Sequence, residues 1–212
     1  MNETSEYKKL IVEFGKRLYN QNHIGGTEGN LSVRLPDGNI LITAAGINKG
    51  FMSPEDCVIC TAEGAKKFGA GRPSSELMMH LAIYNERQDV RAVCHAHPIF
   101  ATAFSLAGKD MLNPILPELV LALKGVPLAP FAEPGTLALA KSIMPYIKDY
   151  DAILLQSHGA VAYGESLDDA YNKIEMLERA ARILYIADRL GRHEATDAGE
   201  LERLLGQSGL KQ

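Results

Sequence analysis

The spacing of apolar residues divides the first third of the chain into one helix and several strands. Segment 6–21 predicts an amphipathic helix, because its apolar residues recur at helical spacing and two glycines follow it. Two short β-like runs, NLSVRL and NILITAAG, are separated by PDGN, whose Pro, Asp and Gly predict a hairpin turn. Another strand is expected over residues 57–60.

The middle of the chain alternates helices and strands. A glycine-rich loop runs into a helix for which Ser74 or Ser75 is the expected N-cap. The apolar run VRAVCHAHP predicts a strand that Pro98 closes, and a later helix is expected at about 136–147. The apolar strand AILLQ follows it and ends at SHGAVAYG.

The last predicted element is a long helix. Ser166 is its expected N-cap, with Asp169 three residues on, and an apolar stripe continues to about Leu190. No repeat, low-complexity block or linker divides the sequence. We therefore predict a single domain over residues 1–212, with a C-terminal tail from about 191.

Composition favours a soluble α/β protein with a full hydrophobic core, since 46% of the 212 residues are apolar and 23% are charged. The net charge of −4, with scattered lysines and arginines, argues against nucleic-acid or membrane-surface binding. The N-terminus resembles no signal peptide, and no apolar run reaches the ~18 residues of a membrane span, so a cytoplasmic location is expected. The three cysteines suit a reducing compartment and, in apolar runs, the core.

Two histidines one residue apart are the main chemical signal. On a strand, His95 and His97 face one side while Cys94 and Ala96 face the other, and Cα atoms about 7 Å apart allow both imidazoles to reach one ion. The alternative is a pair of hydrogen-bonded histidines. His158, at the end of a strand, is a third candidate, although HG is also a common turn.

Glu76 has two interpretations. It can cap a helix N-terminus, or it can ligate a metal while the hydroxyls of Ser74 and Ser75 and the free amides bind a phosphate. His80 shares its helical face, and we rank it below His158 as a ligand because packing or hydrogen bonding accounts for it more readily. His23 lies in a polar segment and is expected to be solvated.

The motifs GTEGNLSVR, LITAAG, GRPSSE, VCHAHP and LLQSHGAVAYG, in this order, resemble the class II aldolase/adducin-head family, particularly its fuculose-phosphate aldolase-like members. The resemblance extends from about residue 5 to 190. It implies a three-layer α/β/α fold around a mostly antiparallel central sheet. It also implies a homotetramer with sites near subunit boundaries.

The same resemblance implies residue roles. The matching divalent-metal ligands, commonly for zinc with manganese or cobalt as alternatives, are Glu76, His95, His97 and His158. The matching phosphate-binding positions are Gly29, Asn30, Ala45, Gly46, Ser74 and Ser75. The implied enzyme is an aldehyde-lyase that cleaves a ketose 1-phosphate to dihydroxyacetone phosphate and a small aldehyde, with Glu76 moving the proton at the hydroxymethyl carbon.

Relatives with this fold are also known to epimerise pentulose 5-phosphates, to dehydrate methylthioribulose phosphate or to decarboxylate oxo-acid phosphates, and these activities remain alternatives. A non-catalytic adducin-like module is the least favoured, because this sequence retains Glu76 and all three histidines.

The sequence departs from the family at three positions. Ala45 stands where relatives have threonine, Pro134 where fuculose-phosphate aldolases have phenylalanine, and segment 113–120 lacks their tyrosine, thought to act on the departing aldehyde oxygen. Glu118 is the nearest group able to relay that proton, unless it is a surface carboxylate. The missing tyrosine suggests acetaldehyde or a methylthio-aldehyde as product, from 5-deoxy- or 5-methylthioribulose 1-phosphate.

Overall fold

The computed structural model describes residues 3–112 and 122–191, together with Gly199 and Arg203. In this part of the chain the strands are β1 (Asn30–Arg34), β2 (Ile40–Thr43), β3 (Cys57–Cys60), β4 (Lys66–Phe68), β5 (Ala92–Ala96), β6 (Leu128–Ala129), β7 (Ala152–Leu155) and β8 (Gly159–Gly164). The α-helices are α1 (Glu3–Asn20), α2 (Leu77–Glu86), α3 (Ile99–Leu106), α4 (Leu137–Ile143) and α5 (Leu167–Leu190).

All eight strands form one sheet in the order β4-β3-β2-β1-β5-β8-β7-β6. Every neighbouring pair is antiparallel except β6 and β7, which are parallel. Strand β5 lies between β1 and β8, so that His95 pairs with Asn30 on one side and with Val161 on the other. The candidate ligand therefore lies on an inner strand of the sheet.

Helices cover both faces of the sheet. The buried faces of α1 and α5, with Ala101 of α3, join one hydrophobic cluster with Cys94 and Ala96, whereas the buried residues of α2 and α4 join a second cluster with Val93. Adjacent strand residues point to opposite faces, so His95 lies on the same face as Val93 and α2. The fold is thus a three-layer α/β/α arrangement, as the family resemblance implies.

Several sequence predictions are confirmed. The first helix and the strand over residues 57–60 are present, and the long helix begins after Ser166, whose Oγ accepts a hydrogen bond from the Asp169 amide at 3.1 Å. All three cysteines are free and buried, and burial raises the pKa of the Cys57 thiol to about 12. These cysteines are core residues.

Other predictions need correction. Neither serine is the N-cap of α2, because Glu76 occupies that position. Ser74 lies two residues earlier, where its Oγ accepts a hydrogen bond from the Glu76 amide at 3.3 Å and its own amide donates to the Thr43 carbonyl at 3.1 Å. Strand β8 was not expected, because glycines bound it and alanines make up much of it. It is stabilised by pairing with β5 and β7 on both edges.

No helix among the described residues is both long and apolar enough to cross a membrane.

Candidate active site

Three elements bring His95, His97 and His158 together. His95 is the fourth residue of β5, and His97 lies just beyond that strand, where its amide donates a hydrogen bond to the His23 carbonyl at 2.8 Å. His158 lies in the short turn between β7 and β8, which also contains Ser157 in a left-handed conformation with φ 57°. The antiparallel β7–β8 pairing returns this turn to the end of β5.

Glycine is required at position 159, beside this turn, because the backbone there lies so close to that of Ala96. A Cβ atom at Gly159 would lie 2.5 Å from the Ala96 carbonyl oxygen and 2.7 Å from Cδ2 of His97. Distances this short do not occur between real atoms of these types, so the glycine permits the approach of His158 to His97.

We call His95, His97 and His158 the histidine cluster. Their ring centroids are 4.7–4.9 Å apart, and one potential ligand atom from each lies within 4.8 Å of the other two. The Nε2 atoms of His95 and His97 are 3.1 Å apart. His95 donates from Nδ1 to the Ala160 carbonyl at 2.9 Å, so Nε2 is the ring nitrogen that is directed into the cluster.

Glu76 adds a carboxylate to the histidine cluster. It is buried at the start of α2, with Oε2 at 3.0 Å from His95 Nε2 and Oε1 at 3.2 Å from His158 Nε2. Asn30 donates from Nδ2 to Oε2 at 2.8 Å. Burial alone raises the pKa of Glu76, but the charge on His95 and the hydrogen bonds from His95 and Asn30 hold it below its usual range.

Two of the three histidines in the cluster have the protonation state that metal binding needs. Burial, reinforced by the charge on His95, lowers the pKa of His97 to about 3 and that of His158 to about 4, so both rings are neutral at pH 7. Burial also acts to lower the pKa of His95, but the Glu76 carboxylate outweighs it and raises that pKa. Neutral imidazoles and an ionised carboxylate are the forms that bind divalent ions.

Two atoms of the site lack hydrogen-bond partners within the described structure. Glu76 Oε1 and His158 Nδ1 are both buried and form no hydrogen bond, although Oε1 lies 3.2 Å from His158 Nε2. A buried carboxylate oxygen without a donor is costly, and a cation bound between Glu76 and the histidine cluster would satisfy it. Three imidazole nitrogens with a carboxylate oxygen are a donor set that zinc accepts.

His80 is not part of the cluster. Its Nε2 lies 2.5 Å from Asn30 Oδ1 and its Nδ1 lies 2.6 Å from Ser32 Oγ, which also contacts the Tyr84 hydroxyl at 2.8 Å. Both ring nitrogens are therefore occupied, and burial followed by the charge on His95 lowers the pKa of His80 to about 3. It holds Asn30, which in turn holds Glu76.

A cavity of about 230 Å³ adjoins the histidine cluster. Its wall includes every site residue predicted from sequence that the structure describes, namely Gly29, Asn30, Ala45, Gly46, Ser74, Ser75, Glu76, His95, His97 and His158. The remaining predicted residue, Glu118, lies outside the described residues. Thr27, Glu28, Ala44 and Lys49 also line the cavity and were not predicted.

Backbone pairing brings the candidate phosphate-binding residues together. The Ala45 amide donates to the Arg72 carbonyl at 2.9 Å, and Ala44 forms a β-bridge with Pro73, so Ser74 and Ser75 lie beside the 43–46 turn. Gly46 has a left-handed φ of 74°. Such turns expose amides that can donate hydrogen bonds to an anion.

Gly29 is constrained in two ways. Its φ is 67°, and a Cβ there would lie 2.7 Å from a methyl carbon of Ile24 and 2.8 Å from the His95 carbonyl oxygen. A side chain is therefore excluded both by backbone conformation and by space. This places Asn30 directly beside β5.

Helix α5 supports the segment that carries His97. Glu178 accepts hydrogen bonds from the amides of Phe100 and Ala101 at 3.0 and 2.9 Å, at the start of α3. Glu175 lies 2.8 Å from His23 Nε2, and the His23 carbonyl holds His97. His23 is therefore buried, and the expectation that it is solvated is wrong, because α5 packs over it.

Residues 9–185 match the family described as Class II Aldolase and Adducin N-terminal domain. The chain is 36% identical to the 3-oxo-tetronate 4-phosphate decarboxylase of Escherichia coli O6:H1, over 93% of this chain and 94% of the relative. It is also 36% identical to the L-fuculose phosphate aldolase of Methanococcus maripaludis, over 85% of this chain and 97% of the relative.

Among solved structures, YgbL from Escherichia coli, described as a candidate aldolase, epimerase or decarboxylase, superposes with a TM-score of 0.89. The two sequences are 32% identical, and the match covers 96% of this chain and 99% of the other.

Proposed function

The chain belongs to the class II aldolase and adducin N-terminal domain family, and on that basis we propose that it is a divalent-metal-dependent lyase that cleaves a ketose 1-phosphate to dihydroxyacetone phosphate and a small aldehyde. One observation carries the proposal: Glu76, in contact with His95 and His158, lines the same small cavity as Ser74, Ser75 and the turns at residues 29 and 46. A single phosphorylated substrate can therefore contact both Glu76 with the histidine cluster and, through its phosphate, the serines and the two turns.

The metal would be held by Glu76 and the histidine cluster. A bound divalent ion supplies electrophilic stabilisation of the negative charge that develops on substrate oxygens when the carbon–carbon bond breaks. Hydrogen bonds from outside the donor set orient two of its members. The Ala160 carbonyl fixes the ring of His95, and Asn30 fixes one oxygen of Glu76.

Glu76 is the proposed proton carrier. Its depressed pKa keeps the carboxylate ionised at neutral pH, and it lies at the boundary between the histidine cluster and the cavity. In the direction of cleavage, the carboxylate takes up a proton from solvent and delivers it to the carbon that becomes the hydroxymethyl group of dihydroxyacetone phosphate. In the reverse direction, the carboxylate removes that proton.

The phosphate end consists of neutral donors. Ser74 and Ser75 provide hydroxyl groups, Asn30 an amide, and the backbone at Gly29 and Gly46 provides N–H groups. The Ala45 N–H already donates to the Arg72 carbonyl, so Ala45 lines this part of the cavity without donating to the phosphate. Glu118 remains the proposed relay for the proton of the departing aldehyde. With no tyrosine in segment 113–120, we propose that the ketose is a 5-deoxy- or 5-methylthioribulose 1-phosphate.

Decarboxylation of a 3-oxo-tetronate 4-phosphate is the second candidate. Two observations favour it: the decarboxylase relative matches 93% of this chain, and the tyrosine of segment 113–120 is missing. Carbon dioxide leaves a 3-oxo acid without a proton transfer at a neighbouring hydroxyl, so this reaction needs no such tyrosine. The product, after protonation at C2, is again dihydroxyacetone phosphate.

A coupled assay separates the two candidates. Zinc-loaded protein is given either ketose 1-phosphates or 3-oxo-tetronate 4-phosphate; dihydroxyacetone phosphate is followed by NADH-linked reduction and carbon dioxide is measured in parallel. Aldol cleavage releases the triose phosphate with an aldehyde and no carbon dioxide, whereas decarboxylation releases it with one equivalent of carbon dioxide. No triose phosphate from any substrate would overturn both candidates and favour the epimerase or dehydratase activities.

Three further features complete the proposal. Zinc is the expected metal, with manganese or cobalt as alternatives, and metal analysis of purified protein checks it. A homotetramer with sites near subunit boundaries is proposed from the family resemblance and is tested by light scattering. The cytoplasmic location stays a prediction from the sequence and is tested by fractionation of cells. Protein that binds no divalent ion would instead favour the adducin-like module.

A further inference from the structure

Lys49 is the one lysine or arginine among the described residues that line the cavity. It is only 2% exposed, and its Nζ donates a hydrogen bond to the Thr27 carbonyl at 2.6 Å. Within residues 3–112 and 122–191, no carboxylate oxygen lies within the 4.0 Å of an ion pair with this Nζ. Lysine is almost never buried so completely without a counter-charge.

The charged groups around the cavity indicate which kind of partner Lys49 lacks. Desolvation lowers the pKa of Lys49 to about 8, while the charges of Glu76 and Glu28 act in the opposite direction from a distance. When a divalent ion neutralises Glu76, part of that compensation is lost. An anion that enters the cavity would then supply the negative charge that compensates Lys49.

The substrate that the site is proposed to take carries such an anion. A phosphate monoester has a charge of about −1.5 to −2 at pH 7. The donors proposed above for the phosphate are neutral hydroxyls, an amide and backbone N–H groups of the same cavity, and Ala45 lacks the hydroxyl that its threonine counterpart has in relatives. Burying a doubly charged group on neutral donors alone is costly.

We propose that Lys49 is the cationic contact for the phosphate group of the substrate. The proposal rests on the proposed function, and it adds a charged specificity-determining residue to a subsite otherwise made of neutral donors. Lys49 is held ready for this role by the Thr27 carbonyl, two residues before Gly29 and three before Asn30. It therefore distinguishes phosphorylated from unphosphorylated substrates of the same carbon skeleton.

The test uses the zinc-loaded protein and measures the dissociation constants of dihydroxyacetone phosphate, inorganic phosphate and dihydroxyacetone by calorimetry. Lys49→Gln removes the charge, yet its amide can still donate to the Thr27 carbonyl. We expect it to weaken both phosphate-containing probes about tenfold or more and to leave dihydroxyacetone and the zinc content unchanged. Lys49→Arg should restore most of the binding, and Lys66→Gln, on an exposed lysine of β4, should change nothing.

Other outcomes are equally informative. Unchanged affinity of Lys49→Gln for dihydroxyacetone phosphate would overturn the role of Lys49, as would equal weakening of dihydroxyacetone, which indicates only a structural tie between loops. If Lys49→Gln does not fold, Lys49→Met carries the same test, since it also removes the charge and keeps the apolar stem. Weaker binding of both phosphate-containing probes with unchanged dihydroxyacetone binding supports the proposal, and unchanged affinity for all three opposes it. Wild-type protein that binds no phosphate-containing probe overturns the proposed function as well.

Discussion

His80 and the histidine cluster are connected through Asn30 and Glu76, but their ring nitrogens are satisfied in different ways. His80 has a protein partner at each nitrogen, and its neighbours Ser32 and Tyr84 continue the hydrogen-bond network. The members of the cluster instead face one another, and His158 Nδ1 and Glu76 Oε1 have no hydrogen-bond partner in the described structure. The comparison teaches that unsatisfied nitrogens, more than burial, separate a candidate ligand from a structural histidine.

The largest effect should come from removing two members of the cluster. His95→Ala with His97→Ala takes away two of four donors, so zinc affinity should fall by roughly 100-fold or more, beyond the loss typical of a supporting residue. Competition with a chromogenic chelator measures it. His80→Ala is the matched control, since it also deletes a buried imidazole. Equal zinc loss in both variants would contradict the division between the two groups.

His80→Ala itself should act mainly on stability. The substitution leaves Asn30 Oδ1 without the His80 donor and removes one of the two contacts of the Ser32 hydroxyl, at a cost of about 2–3 kcal/mol in the free energy of unfolding. Urea unfolding of the zinc-free protein measures this loss. Zinc should still bind at one equivalent, about tenfold more weakly, because Asn30 no longer holds Glu76 firmly. Complete loss of zinc at unchanged stability would make His80 a ligand.

Gly159→Ala tests how closely the cluster is packed. The new Cβ would overlap the Ala96 carbonyl and the ring of His97, so we expect displacement of His97 and a cost of about 1–2 kcal/mol, or roughly tenfold in zinc affinity. Gly25→Ala is the control, since a Cβ there meets only the Glu28 carboxylate, at 3.6 Å. Zinc titration of both variants measures the difference in affinity. Equal affinities would show that the cluster tolerates the displacement of His97.

The smallest effect is expected from Glu178→Gln. The variant keeps an acceptor for one amide at the start of α3 but loses the charge that favours a helix N-terminus, which costs about 0.5–1 kcal/mol of stability. Because α3 begins two residues after His97, zinc affinity should fall about two- to threefold. Thermal unfolding with and without zinc measures both, with the exposed Glu63→Gln as control. A stability change without any change in zinc affinity would uncouple α5 from the cluster.

Local sequence determined most of the elements and the chemistry of the donors. Apolar periodicity predicted α1 and α5, and strand alternation placed His95 opposite Cys94, because both depend on contacts within a few residues of one another. The motifs that resemble the family supplied ten described cavity residues. Those signals are short, contiguous and rich in glycine, serine and histidine.

Only the tertiary structure decided which partners these residues have. Strand β8 forms because β5 and β7 pair with it, His23 is buried because α5 packs over it, and His80 and His95 differ only through contacts with residues distant in sequence. Lys49 gave no sequence signal beyond a cation in a small-residue turn, and its buried Nζ is held by the carbonyl of Thr27, 22 residues earlier in the chain. Hydrogen-bond satisfaction and desolvation depend on three-dimensional neighbours, which local patterns do not specify.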